Sequence, residues 1–199
     1  MKKIPFYAFT ILMATLIIAA LPTDAEAEIY EDTIRLHILA NSDSEKDQTL
    51  KIAVRDGLLT EYGERLRSAG SFEAAEALGN EILPEIEEKA KEILKSLGCN
   101  LNVKATITTE WYETREYSDF ALPAGYYTSL RVIIGSGEGK NWWCVMYPPL
   151  CMELATESAP ADDGIIDYTR EEISLIKSGK YNIKFKILEE VSRLFAKNG

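Results

Sequence analysis

The chain has 199 residues and a formal net charge of −10, from 32 acidic and 22 basic side chains. That length suits one ordinary domain with a real core and is too short to expect two, while the charge argues against nucleic acid or an anionic membrane as partner, because both would repel it. Three cysteines are too few for a disulfide scaffold, so the core must carry most of the stability.

Residues 1–27 have the three parts of a secretory signal. Lys2 and Lys3 supply the positive start, Ile4 to Leu21 is apolar and uncharged, and Pro22 precedes the small-x-small site Ala25-Glu26-Ala27. Cleavage there leaves a domain spanning 28–199. The alternative is an uncleaved anchor, since the apolar run approaches the roughly 20 residues that span a bilayer. Both readings place the domain outside the cytoplasm, away from ATP, and set aside kinases, P-loop enzymes and DNA binding.

Thr33 to Ala40 alternates Ile34, Leu36, Ile38 and Ala40 against Arg35 and His37, the pattern of a half-buried strand. Asn41-Ser42-Asp43-Ser44 supplies turn residues, and Ser44 with Asp47 opens a helix that runs to about Leu66. Leu50, Val54 and Leu58 make one stripe on it; Ile52 and Leu59 fall nearly opposite, so it packs on two partners or uses one stripe for docking. Ser71 caps a short helix from Phe72 to about Leu78. A further helix ends at Leu97 with Gly98 as its stop, and Ile82, Ile86, Ala90, Ile93 and Leu97 form its apolar face. Leu101 to Tyr112 alternates again, with Lys104, Thr106, Thr108 and Glu110 on a polar side. Glu113 to Phe120 reads as loop or fraying strand.

Tyr126 to Ile134 and Trp142 to Tyr147 read as two strands of a hairpin joined by the glycine-rich turn Gly135 to Asn141. The turn superficially resembles a phosphate loop, but Ile134 stands five before Gly139, Asn141 follows Lys140, and no helix pattern follows. Its glycines are better read as supplying positive φ angles. Glu153 to Asp167 is a surface loop, a short helix begins at Thr169, Tyr181 to Lys186 alternates like a strand, and a last helix follows. The sum is a single α+β domain, with a mixed or largely antiparallel sheet and helices mainly on one face, preceded by the signal peptide.

Little in the chain points to catalysis or a metal. His37 is the sole histidine, which excludes the usual zinc spacings; on a strand's polar face it reads as a hydrogen-bonded structural residue, with a general base as the competing role. The carboxylate pairs Asp162/Asp163 and Asp43/Asp47 sit in loop and cap settings. No G-x-S-x-G elbow is present. No cofactor is implied. Cys144 and Cys151, separated by Pro148 and Pro149, can close a short disulfide loop outside the cytoplasm, worth roughly 2 to 3 kcal/mol on the chain-entropy model; two buried thiols are the alternative, and Cys99 has no evident partner. Of the adjacent Trp142 and Trp143, one should enter the core and the other point away, either as a binding anchor or under the 153–167 loop.

Ile34 to Asp56, IRLHILANSDSEKDQTLKIAVRD, and Leu122 to Cys151, above all LPAGYYTSLRVIIG and GKNWWCVMYPPLC, resemble the stage II sporulation protein R family of endospore-forming Firmicutes. The two stretches cover about a quarter of the chain. The resemblance implies a signalling protein without catalytic residues. Members of that family are made in the forespore and exported into the space between forespore and mother cell. There they trigger a membrane-embedded aspartic protease of the mother-cell membrane, the sigma-E factor processing peptidase, to cleave pro-sigma-E. On this reading Arg35, His37, Asn41, Ser42, Asp43, Asp47 and Gln48, with Gly139, Asn141, Trp142 and Trp143, form the partner-binding surface. A secreted hydrolase or ligand-binding domain using His37 and nearby carboxylates is the competing function.

Overall fold

The structure is a computed structural model that describes residues 3–20, 29–116 and 121–148. The signal cleavage site, Cys151, the 153–167 loop and the three elements expected after Thr169 lie outside the described residues. The backbone groups into two units. One comprises Tyr30–Glu110 and Tyr126–Tyr168, the other Met1–Ile29, Trp111–Gly125 and Thr169–Gly199.

The first unit carries a four-stranded sheet and three helices. In chain order these are β1 (Ile34–Leu39), α2 (Glu45–Arg67), α3 (Phe72–Glu81), α4 (Leu83–Ser96), β2 (Val103–Tyr112), β5 (Gly125–Ile134) and β6 (Asn141–Tyr147). The sheet order is β2-β5-β1-β6. β1 pairs parallel with β5, Leu36 opposite Leu130, and antiparallel with β6, Leu36 opposite Cys144. The Gly135 N–H donates to the Asn102 carbonyl, which sets the start of β2 beside the end of β5, so those neighbours run in opposite directions. This is the mixed sheet of an α+β fold.

The order corrects two expectations. β5 and β6 are not a hairpin, because β1 lies between them. The six residues of β1 are all buried, so it is a central strand rather than a half-buried one. A strand flanked on both edges and covered on both faces has no solvent side, and Arg35 and His37 are buried at 0% and 8% exposure.

The helices start and stop where local chemistry directs. Ser44 accepts from the Asp47 N–H and Ser71 from the Ala74 N–H. Gly98 takes φ +71° just past α4. Leu50, Val54, Leu58, Tyr62 and Leu66 bury the stripe of α2. Gly57 lets α4 approach closely, since a Cβ there would collide with the Ile93 side chain. On α4 the buried residues are Ile86, Ala90 and Leu94, while Leu97 is 50% exposed. The helix ends at Ser96, so Leu97 is its C-cap and leaves the helical period.

The helices share one sheet face. Trp142, opposite Ile38, meets Arg55 of α2, and Gly79 of α3 approaches Ile107 of β2. The other face carries Arg35, His37, Ser129, Arg131 and Trp143.

The second unit contains α1 (Lys3–Ala20) and the two-residue strands β3 (Arg115–Glu116) and β4 (Ala121–Leu122), which pair antiparallel. The segment read as loop or fraying strand therefore pairs briefly. α1 exposes Tyr7, Phe9, Ile11, Leu12 and Met13. No helix among the described residues is long and apolar enough to cross a membrane.

Candidate functional site

Most of the residues singled out in the sequence meet in an interlock between two loops, residues 40–44 after β1 and 135–140 between β5 and β6. Because β1 separates β5 from β6, the second loop must cross two strand spacings of about 4.8 Å each, over the exit of β1. Side chains of the first loop hold it there. The Asn41 Oδ1 accepts from the Ser136 N–H at 3.0 Å, and the Asn41 carbonyl from the Ser136 hydroxyl at 2.7 Å. The Gly139 N–H donates to the Ala40 carbonyl at 2.8 Å, and the Lys140 N–H to Asp43 Oδ1 at 2.7 Å.

Two glycines make this fit possible. Gly135 has φ +60°, and a Cβ on it would strike the Asn41 carboxamide. A Cβ on Gly139 would strike the Ser42 backbone carbonyl and lie 2.9 Å from Ala40 Cβ. The glycine-rich run is thus a close-packing surface for another loop rather than a phosphate cradle.

Asp47 organises the first loop. Its Oδ2 accepts from Ser42 Oγ at 2.6 Å and Asn41 Nδ2 at 2.8 Å, and its N–H donates to Ser44. Those bonds, Ser42 first and then Asn41, hold its pKa below the ordinary 3.8. Gln48 Nε2 donates to the Ser42 carbonyl at 2.9 Å. Lys51, which is buried, donates to Gln48 Oε1 at 2.7 Å and to the Lys140 carbonyl at 2.9 Å. Burial lowers its pKa, partly offset by Asp43.

The two tryptophans divide between the sheet faces, as adjacent strand residues must, but both are half-buried. The Arg55 guanidinium lies 5.0 Å from the Trp142 ring centroid. Trp143 stacks on His37, with centroids 5.6 Å apart and an interplanar angle of 24°.

His37 and Arg35 belong to a second, buried cluster. His37 Nδ1 lies 2.9 Å from Glu110 Oε2, and Arg131 Nε pairs with Glu110 Oε1 at 3.5 Å. Burial alone would raise the Glu110 pKa, but hydrogen bonds from His37 and Ser129 and the charges of His37 and Arg131 outweigh it and hold the carboxyl below 4.5. An ionised carboxylate only accepts, so Nδ1 carries the proton. Glu110 therefore stands between His37 and Ser129 and binds both. A nucleophilic triad has the histidine in the middle instead, bonded to the hydroxyl it deprotonates. Arg35 Nε donates to the Cys144 carbonyl at 3.3 Å, and its guanidinium lies 5.1 Å from the Tyr127 ring centroid. Cys144 is buried; its expected partner Cys151 lies outside the described residues.

The family model described as Stage II sporulation protein R matches residues 30–157. The chain belongs to the stage II sporulation protein R family. The Stage II sporulation protein R of Bacillus subtilis (strain 168) is 37% identical over 160 residues, covering 76% of this chain and 71% of that protein. No solved structure matches significantly. The region that defines membership of the sporulation protein R family contains both the loop interlock and the Glu110 cluster.

Sequence reading did not single out Glu110, Ser129, Arg131, Lys51, Arg55 or Ser136 as site residues. Glu110 carried one usable signal, an acid on the polar side of a long strand. The others carried none, because each acts on a residue from a different part of the chain.

Proposed function

We propose that the chain is a secreted sporulation signal. It leaves the forespore by its N-terminal signal, enters the space between forespore and mother cell, and activates the membrane-embedded aspartic protease that cleaves pro-sigma-E. Membership of the stage II sporulation protein R family carries this reading. The geometry supports it in two ways. The polar residues of the sheet are bonded to one another rather than arranged around a reacting atom, and the two loops form a braced rim with tryptophans at its edge.

An activator needs no reacting groups. It must bind the active arrangement of its target better than the resting one, and a switch from 1:99 to 99:1 takes about 5.5 kcal/mol of differential binding. The docking surface is the rim made by Asn41 and Ser42 on one loop and Gly139, Lys140 and Asn141 on the other, with Gln48 at the start of α2 and Trp142 and Trp143 beside them; Asp43 holds the two loops together through the Lys140 N–H. Arg35 and His37 brace it from the buried side.

Reconstitution tests the proposal. Membrane-embedded protease and pro-sigma-E, mixed with purified Glu28–Gly199, should give cleavage that is absent without the added chain. No difference between the two reactions would refute it. The 2.9 Å contact of His37 with Glu110 favours a second reading, in which His37 is an acid-base group of a hydrolase. Loss of hydrolysis with retained binding in His37→Gln would favour that reading; full activity of His37→Gln in the processing reaction would remove it.

A further inference from the structure

Gln48, Lys51 and Arg55 stand at i, i+3 and i+7 on α2, which aligns them along one side of the helix. Gln48 and Lys51 reach the loop interlock, and Arg55 reaches the start of β6 that follows it. Gln48 donates to the Ser42 carbonyl, Lys51 to the Lys140 carbonyl, and Arg55 lies over Trp142. The Lys140 residue is therefore held from both sides, its carbonyl by Lys51 and its N–H by Asp43. It immediately precedes Asn141 and the two tryptophans. Fixing both hydrogen-bonding groups of one residue removes most of the freedom of the strand start that follows it.

We infer that this stripe of α2 is a positioning device for the docking rim, with Lys51 and Asp43 as the residues that set the direction in which Asn141 and Trp142 are presented. Neither contacts the partner through this role; both act through the Lys140 peptide groups. The inference rests on the activator reading above. It also accounts for a lysine that is only 5% exposed, a position where an ammonium is normally disfavoured unless its protons are used.

The test uses the full-length chain, produced from a titratable promoter in cells that contain the membrane protease and pro-sigma-E. The processed fraction is read against the measured amount of the chain. Lys51→Met keeps the length of the side chain and loses the donor. Asp43→Ala removes the hold from the other side at an exposed position, where folding is not at issue, and Asp43→Asn retains an acceptor. Lys51→Met and Asp43→Ala should each raise the amount needed for half-maximal processing about tenfold, the weight of one or two hydrogen bonds. Maximal processing should be unchanged, and Asp43→Asn should stay close to wild type. A purely structural role would lower the amount of chain that accumulates without moving that normalised midpoint. Unshifted midpoints for Asp43→Ala and Lys51→Met, with an active wild type, would overturn the inference alone. An inactive wild type would overturn the activator reading and the inference with it.

Discussion

Replacing Gly139 by alanine tests the loop interlock at its tightest point. The added methyl would meet the Ser42 carbonyl and approach Ala40 Cβ to 2.9 Å, and a backbone carbonyl cannot turn aside as a side chain can. Either the loops separate or the β1 exit shifts. Overpacking of this kind costs about 1 to 3 kcal/mol, and losing the Gly139 to Ala40 hydrogen bond costs about 1 more. The sum is roughly 2 to 4 kcal/mol. At about 2 to 4 °C per kcal/mol for a domain of this size, Tm should fall by roughly 5 to 15 °C. Gly98→Ala is the control. That residue has φ +71° but open space around its Cβ position, so it should cost only about 1 to 2 kcal/mol of backbone strain. Thermal unfolding followed by circular dichroism on Glu28–Gly199 compares the two. A Gly139→Ala protein that melts no lower than Gly98→Ala would refute the close-packing argument.

Two further outcomes follow, one from contacts described above and one from cysteine spacing. Asp47 and Glu110 both have folded-state pKa values below their ordinary 3.8 and 4.5, so their stabilisation is complete above those values and is lost as pH falls through the lower folded ones. Tm measured from pH 7 downward should therefore hold until about pH 4.5 and then drop, and Glu110→Gln should remove part of that drop; an identical slope in the variant would refute the assignment to Glu110. On the proposed export, Cys144 and Cys151 should form a disulfide. Mass spectrometry should find the two joined without reductant, and reduction should cost roughly 2 to 3 kcal/mol; free thiols at both positions would refute the pairing.

The sequence by itself determined the α+β class, the helix caps at Ser44 and Ser71, the stop at Gly98 and the approximate extent of β1, β2, β5 and β6, but not the short pair β3 and β4. These are legible because capping and alternation depend on residues a few positions apart. Family membership was legible too, since it rests on contiguous residue runs. Sequence also marked Asn41, Ser42, Asp43, Asp47 and Gly139, which do meet. Only the tertiary structure decided how they meet. Insertion of β1 between β5 and β6 is a long-range pairing choice, and two strands joined by a glycine-rich turn look alike whether or not a third strand lies between them. That insertion buries Arg35 and His37, brings His37 to the Glu110 carboxylate of β2, and turns the glycines from hairpin residues into the packing surface for Asn41 and Ser42. The partners of a buried polar group come from whichever strands the sheet order brings near it, and strand order is set by the summed packing of the sheet rather than by any local run of residues.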